Sequence, residues 1–416
     1  MKILIVNTSD IEGGAARAAY RLHKALRSQG VDSQMLVQNK SSDDYTVIAE
    51  KDKVKKTLNK LRPFFDSIPV RFYKNRTKTL FSSSWLPFSN IVNKINEINP
   101  DIVHLHWICG GMLKIEDLKK IKKPIVWTLH DNWAFTGGCH IKWDCDKYKD
   151  ICGACPVLSS NKEYDLSRRV WERKNKTFKK LNNIMIVCPS RWLTNLSKES
   201  RLLGDKEHIN IPNLIDTNSF KPFDKDRAKG LWNLPKDKRL ILFGAMNATS
   251  DINKGFNILM EALNLLKIDN VEFVVFGSCK PKNPPDFKFK SHYVGHLNDD
   301  ISLVTLYNTV DVMVVPSIQE NLSNAIMENL ACGTPVVAFD IGGNGDMIEH
   351  KINGYLAKPY ESKDLAEGIE WVLNLPIHDY DKLCENARRK VVEEFDSKIV
   401  VKKYIDLYRE ILNCKT

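Results

Sequence analysis

Two carboxylates separated by seven residues, Glu320 and Glu328, carry the first chemical signal in this chain. They lie in Pro316-Ser-Ile-Gln-Glu-Asn-Leu-Ser-Asn-Ala-Ile-Met-Glu328, where an apolar, strand-like run gives way to a helical pattern. Ser323 and Asn324 are good helix caps, which puts Glu320 in the strand-to-helix loop and Glu328 about one turn into the helix. The amides of Asn321, Leu322, Ser323 and Asn324 then stand at the positive end of a helix dipole, a natural seat for a phosphate or pyrophosphate. A carboxylate in the first helical turns can accept both hydroxyls of a ribose. The plainer alternative is a pair of surface glutamates flanking a buried helix.

Gly13 and Gly14 follow the first strand-like run and precede a helix, so backbone can approach a ligand closely there. The pattern is not G-x-G-x-x-G, and an ordinary tight turn would use the same residues. His130 ends the run Pro124–His130 within Trp127-Thr-Leu-His-Asp-Asn-Trp133. A neutral imidazole at a strand end can donate to a sugar hydroxyl, with the adjacent Asp131 fixing its tautomer. A hydrogen-bonded structural histidine is the alternative, for His130 as for His104 and His106 on the preceding run.

Four of the ten cysteines cluster as Cys139-x5-Cys145-x6-Cys152-x2-Cys155. The surrounding stretch 137–156 is rich in Gly, Asp and Lys and needs a staple. Four thiolates in a reducing compartment suit a structural zinc, with His140 as a substitute ligand. Disulfides and free thiols are the other readings.

The elements that must position these residues alternate along the chain. Strand-like runs at Lys2–Val6, Asp32–Val37, Asp101–His106, Pro124–His130 and Asn183–Cys188 are interleaved with helical patterns such as Ala15–Gln29. Turn chemistry at Ile211–Pro222 marks the approach to a linker. A second series follows, with strands at Arg239–Gly244, Val271–Gly277, Asp311–Pro316 and Pro335–Asp340. Its helices fall at Gly255–Lys267, Ser323–Cys332, Ser362–Leu373, Asp379–Glu394 and Ser397–Leu412. This order predicts an α/β protein of two doubly wound, Rossmann-like domains with a cleft between them. The domains are expected at 1–220, joined by the terminal helix 397–416, and at 221–396.

The chain has 416 residues and a net charge of +11. Residues 1–200 hold 35 Lys and Arg against 20 Asp and Glu, whereas residues 201–416 hold 27 against 31. The basic half favours a phosphate-bearing or membrane-surface partner. Its most basic stretch, 51–80, carries ten Lys and Arg against two acidic residues, interleaved with Phe64, Phe65, Ile68, Val70, Phe72, Tyr73 and Leu80. Such a segment reads as an interfacial membrane anchor or as a solvated excursion. No run of 18 apolar residues occurs, and the opening Met-Lys-Ile-Leu-Ile-Val-Asn-Thr reads as a first buried strand, not a signal peptide. The expected location is cytoplasmic, at the inner face of the membrane.

The run from Glu320 to Val337, E-x7-E followed by Ala-Cys-Gly-Thr-Pro-Val-Val, resembles the signature of retaining glycosyltransferases of family 4, which have the GT-B fold. Asp10-Ile-Glu-Gly-Gly-Ala-Ala, Ile211-Pro-Asn-Leu-Ile-Asp, Lys254-Gly255 and the last helix extend the resemblance over nearly the whole chain. A subset of the family also has His-Asp-x-Trp followed by Thr-Gly-Gly-Cys-His and clustered cysteines. The resemblance implies that Glu320 contacts donor-sugar hydroxyls near the reacting carbon, that Glu328 binds the nucleotide ribose, and that Lys254 neutralises the donor diphosphate. It implies a role for His130 close to the reacting centre and for the Gly13-Gly14 loop at the donor phosphates or the acceptor. The family's usual arginine after the strand ending at Gly244 is missing, since Ala245-Met246-Asn247 stands there.

The expectation is therefore a retaining transferase moving a hexose-type sugar from a UDP- or GDP-sugar to a saccharide or lipid-linked saccharide in surface polysaccharide synthesis. No catalytic metal and no nucleic-acid partner are expected. The alternatives are a GT-B enzyme of another reaction, a phosphorylase or an epimerase, and a zinc-stabilised nucleic-acid-binding protein.

Overall fold

The computed structural model describes residues 1–244, 251–278, 288–297 and 299–414. The chain divides into two compact units, Met1–Pro212 with Val401–Thr416, and Asn213–Val400.

The first unit is built on a seven-stranded, all-parallel sheet. Its strands are β1 (Lys2–Ser9), β2 (Asp32–Asn39), β3 (Val47–Ile48), β4 (Ile102–Leu105), β5 (Ile125–Thr128), β6 (Ile184–Cys188) and β7 (Glu207–Asn210), in the order β3-β2-β1-β4-β5-β6-β7. β1, β4 and β5 read as continuous apolar runs because helices cover both faces of such a sheet. The helix Gly14–Ser28 buries Ala16, Ala18, Ala19, Leu22 and Leu26, residues at helical spacing.

His104 sits inside β4 with no exposed surface. Its Nδ1 meets the Tyr408 hydroxyl at 2.6 Å and its Nε2 meets Thr128 Oγ1 at 2.7 Å. Tyr408 belongs to the last helix, Ser397–Asn413, so this buried bond explains why the chain's end packs with the first unit. His104 is thus a satisfied core group, the structural alternative, and lies one residue short of the end of β4.

The second unit holds a six-stranded, all-parallel sheet. Its strands are β8 (Arg239–Gly244), β9 (Val271–Phe276), β10 (Ser291–Gly295), β11 (Val312–Val315), β12 (Val336–Phe339) and β13 (Gly354–Ala357), in the order β10-β9-β8-β11-β12-β13. Residues 213–220 pack here. Ile215 exchanges backbone hydrogen bonds with Phe395 and Ser397 at 3.0 and 2.8 Å. The Arg388 guanidinium donates to the carbonyls of Thr217 and Phe220 and, at 2.6 Å, to that of Ala331. One buried fork therefore fixes the linker and caps a helix C-terminus together.

Two measurements follow. Tyr408→Phe removes one partner of a buried imidazole and should cost about 1–2 kcal/mol in denaturant unfolding; an unchanged midpoint would show that the bond to His104 does not hold the terminal helix. Burial holds His23 down to about 4 and His104 to about 3. The unfolded chain then binds more protons than the folded one below the ordinary histidine pKa of about 6.5, so stability is full above that pH and falls as pH drops. The melting temperature should decline between about pH 6.5 and 5, above the range where unfolded carboxylates titrate. A flat profile there would contradict neutral burial of these rings.

Candidate functional site

In the second unit, β8 and β11 point their carboxyl ends at two loops that interlock. The loop after β8 closes as a short 3-10 turn, Ile252–Lys254, capped by the Asp251 carboxylate, which accepts from Asn253 N at 2.9 Å. Asn253 joins this turn to the loop after β11. Its Nδ2 donates to Gln319 O at 2.9 Å, its Oδ1 accepts from Gln319 N at 3.0 Å, and its carbonyl accepts from Ile318 N at 2.8 Å. Gly255 follows with φ +67, and a Cβ there would stand 1.9 Å from the Pro316 carbonyl oxygen. Gly342, at φ +55, approaches the Glu320 carbonyl so closely that a Cβ would lie 1.7 Å from it. Only glycine meets both demands.

The result is an ion pair at the rim of the sheet. Lys254 Nζ lies 3.2 Å from Glu320 Oε2, with the two side chains 24% and 17% exposed. The Glu320 charge holds the lysine above its usual range against the opposing effect of burial. Lys254 therefore stays cationic, with Glu320 beside it. The helix Asn324–Ala331 begins just beyond, capped by Ser323, whose hydroxyl accepts from Ile326 N. Leu322 and Ser323 are buried, while Asn321 and Asn324 are half-buried.

Glu328 is more enclosed than the sequence suggests. It is 3% exposed, and its Oε2 accepts from the Tyr307 hydroxyl at 2.7 Å. Tyr307 is itself fixed through its carbonyl, which accepts from Thr334 Oγ1 at 2.8 Å. The structure brings Lys254 and Glu320 into direct contact and holds Glu328 against the neighbouring helix Asp300–Tyr307. Ala245, Met246 and Asn247, where the resemblance finds its arginine missing, lie outside the described residues.

In the first unit, Gly13 caps the helix Gly14–Ser28 with φ +94, and its α-carbon faces open space, while Gly14 is exposed. The preceding Asp10 is fully buried and pins this turn to the loop after β2, accepting from Ser41 N and Ser42 N at 2.9 and 2.8 Å.

His130 lies two residues beyond β5 and is half-buried. Its Nε2 is 2.9 Å from Nδ1 of His106, which is buried just past β4. Burial lowers His130 to about 4, so the ring is neutral near pH 7. The expectation that Asp131 fixes its tautomer is not what the structure displays. Asp131 accepts from His140 Nδ1 at 2.6 Å, from Trp107 Nε1 at 3.0 Å and from Trp133 N at 2.8 Å. Burial pushes this carboxyl up, but His140 and these donors outweigh it and hold it below its ordinary value.

Cys139, Cys145, Cys152 and Cys155 line one small pocket. All four are free in this structure. Among the described residues, no group of three or more His, Cys, Asp or Glu side chains is set to hold a metal ion. His140 is engaged elsewhere, with its Nε2 at 2.8 Å from Ser82 Oγ. Burial pushes the Cys139 thiol up and the Cys152 thiol to about 12, which keeps both protonated. Lys174, which has no exposed surface, ties the turn just before this segment. Its ammonium donates to the carbonyls of Trp133 and Thr136 and sits 3.7 Å from the Trp133 ring centroid. Lys174 and Asn253 both escaped the sequence reading, because nothing in a lone Lys or Asn foretells which carbonyls it will meet.

With this geometry established, the relationships of the chain are clear. Residues 12–219 match the family described as Glycosyltransferase Family 4, and residues 237–374 match that described as Glycosyl transferases group 1. An N-acetyl-alpha-D-glucosaminyl L-malate synthase of Bacillus anthracis is 29% identical over 376 residues, covering 85% of this chain and 86% of the relative. An N,N'-diacetylbacillosaminyl-diphospho-undecaprenol alpha-1,3-N-acetylgalactosaminyltransferase of Campylobacter jejuni is 28% identical over 210 residues, covering 48% of this chain and 53% of the relative. The chain spans about half the length of some of the curated relatives it matches. Among solved structures, Alr3699/HepE of Anabaena in complex with UDP-glucose superposes with a TM-score of 0.66 at 16% identity, covering 99% of this chain and all of the other. The two parallel sheets are thus those of the GT-B fold, and the chain belongs to the group 1, family 4 glycosyltransferases.

Proposed function

We propose that this protein transfers a hexose-type sugar, with retention at the anomeric carbon, from a UDP- or GDP-sugar to a saccharide or lipid-linked saccharide acceptor in surface glycan synthesis. The observation that carries the reading is the Lys254–Glu320 pair, held at 3.2 Å on two loops that Asn253 locks together. A free-standing surface ion pair needs no such support. A cation and a carboxylate fixed side by side at a sheet's carboxyl edge suit a ligand that presents a diphosphate next to hydroxyls.

In this reading the bond from the anomeric carbon to the diphosphate oxygen lengthens first, and the sugar gains oxocarbenium character. Lys254 and the amides from Asn321 to Asn324 receive the negative charge as it develops, and they do so without reorganising. Glu320 accepts from hydroxyls of the sugar, and Glu328, preset by Tyr307, accepts from the ribose. His130 donates to a hydroxyl of the transferred sugar. The acceptor hydroxyl attacks on the face the diphosphate leaves, and its proton passes to the departing phosphate oxygen. No catalytic metal and no carboxylate nucleophile enter these steps. UDP is supported as the nucleotide by the Anabaena protein's complex with UDP-glucose, and a lipid-linked acceptor by the name of the Campylobacter relative. The malate product named for the Bacillus relative shows how widely acceptors vary on this fold.

We also place the protein at the inner membrane face. No helix among the described residues is long and apolar enough to cross a membrane. The helix Lys53–Asp66, however, buries only Asp66. It exposes Val54, Leu58, Leu61 and Phe65 at helical spacing, with Phe64 beside them, among Lys53, Lys55, Lys56 and Lys60. Phe72, just beyond, is 81% exposed. An apolar stripe bordered by lysines suits an anionic lipid surface.

Three measurements test this. Glu328→Gln should weaken UDP-sugar binding roughly tenfold by calorimetry, the loss of a charge-assisted hydrogen bond; unchanged affinity removes Glu328 from the ribose. Gly255→Ala should displace the Lys254 turn and weaken binding by a similar factor, and normal affinity would show that the clasp does not serve the donor. The protein should co-sediment with phosphatidylglycerol vesicles but not with phosphatidylcholine vesicles, and added salt should release it. Leu61→Glu with Phe64→Glu should abolish this binding, and equal sedimentation by the double variant would refute the lipid surface.

A further inference from the structure

The helix Lys53–Asp66 stands partly off the body of the first unit. Lys55, Leu58, Arg62 and Phe65 recur on one of its faces and line a groove of about 670 Å³, whose other walls are the end of β2 and residues 85–89. That volume lies within the range of ligand pockets, about 300–1,000 Å³. A helix laid on a protein normally buries its inner face. This one buries only Asp66 and leaves Leu58 and Phe65 exposed. Arg62 pins it in this position. Its Nε donates to the Gly111 carbonyl at 2.6 Å, and its Nη2 donates to the carbonyls of Leu86 and Pro87 at 3.4 and 3.0 Å. Across the groove, Phe88 has φ +62, a region that bulky residues avoid, and its side chain is 96% exposed. A strained backbone that presents a bare ring to solvent brings the fold no buried surface in return, and such strain collects at ligand clamps.

The chemistry of the walls selects the occupant. Most polar groups around the groove already have partners. Gln38 Nε2 donates to Gly110 O at 3.3 Å, Ser89 Oγ donates to Met112 O at 2.5 Å, and Lys94 pairs with Glu50 at 3.2 Å. A glycan would need such groups for its hydroxyls, whereas an apolar chain would not. Charge selects further. The helix carries Lys53, Lys55, Lys56, Lys60 and Arg62 against one acidic residue, the buried Asp66, and so complements a phosphate. The floor adjoins the carboxyl edge of the sheet. Gln38 lies one residue short of the end of β2, and Gly110, which accepts from it, packs beside Thr8 and Trp107, where an added Cβ would lie 3.8 and 3.6 Å away. Asp10 ties the Gly13 turn to the loop after the same strand.

We propose that this groove seats the hydrocarbon chain of a lipid-linked acceptor, with the helix lysines on the phosphate that joins chain to sugar and the sugar at the sheet edge that carries Gly13 and His130. Seating a lipid here rests on the reading above that the acceptor saccharide is carried on a lipid. It excludes a free saccharide as the acceptor. It also separates the groove from the outer residues Val54, Leu61 and Phe64, which face the bilayer itself.

The test is calorimetry on the full-length protein with farnesyl diphosphate below its micelle threshold, with excess UDP present to fill the donor site. Farnesyl diphosphate should bind, and inorganic pyrophosphate should bind at least roughly tenfold more weakly, since it lacks the chain whose burial drives the contact. Asn59→Trp puts an indole into the groove from the helix surface and should weaken farnesyl diphosphate roughly tenfold. Phe88→Asn suits the left-handed backbone, so it should raise the melting temperature while weakening the lipid; a ring that only packs would give a lower melting temperature and unchanged binding. Leu61→Ser with Phe64→Ser should leave the affinity as it is, and loss there would give the lipid to the bilayer-facing residues. Equal affinity for the two diphosphates, or full binding by Asn59→Trp, overturns the groove and leaves the lipid-linked acceptor standing. No binding of farnesyl diphosphate, with binding of maltohexaose that Asn59→Trp blocks, would give the groove to a glycan and end both readings. A dimer in sedimentation that Asn59→Trp makes monomeric would give it to a second copy. The transferase reading is judged apart from all of these, by UDP-sugar binding.

Discussion

The carboxyl edge of the sheet in the second unit depends on one steric constraint: two backbone carbonyls, those of Pro316 and Glu320, are approached by α-carbons that tolerate no side chain. Gly255 and Gly342 make these contacts. With any other residue at either position the loops after β8, β11 and β12 would move apart, and Lys254 would lose Glu320. Asn253 completes the clasp by using its side chain as a peptide mimic, donating to and accepting from Gln319. The chemistry proposed for this edge needs a cation fixed before the diphosphate arrives, since charge stabilisation is most effective where the groups need not reorganise.

The first unit solves a different problem. The carboxyl ends of β1, β4 and β5 converge on a buried polar zone that holds Asn7, Thr8, His106 and His140, with Asp131 half-buried beside them. Buried polar groups must be paired, and here almost every one is. Asn7 accepts from Trp107 N at 2.8 Å, and Thr8 donates to the carbonyls of Trp107 and Cys109. His106 Nε2 stands out because no partner for it occurs among the described residues. The same region keeps Lys174 in the interior on carbonyls and an indole face, and burial lowers its pKa to about 7. A network this closely satisfied holds His130 on a rigid base.

Much of the fold was legible in the chain because parallel strands, covered on both faces, are short apolar runs between turn signals. Arg239–Gly244 and Ser362–Leu373 fall where periodicity puts them. The missed strands have physical reasons. β3 has two residues, and β7, Glu-His-Ile-Asn, is only partly buried at the sheet edge, so neither shows an apolar run. Gly354–Ala357 offers only a three-residue apolar run, Tyr355-Leu356-Ala357, behind a glycine. The helix Leu166–Phe178 was hidden by its basic surface, although Val170, Trp171, Lys174 and Phe178 are buried at helical spacing.

For the site, the sequence by itself determined residue types and their placement near strand ends: Glu320 in a loop, Ser323 capping a helix, Lys254 before a glycine, and His130 at the end of a strand-like run, two residues beyond where β5 stops. Local backbone preferences fix these features, and they are written within a few neighbouring residues. Only the tertiary structure decided the partners. It gave Asp131 to His140 and not to His130, gave Glu328 to Tyr307, gathered four cysteines around one pocket, and set His106 behind His130. Each of these pairings joins side chains on different elements, and their distances follow from how the sheets and helices pack, which no spacing along the chain encodes.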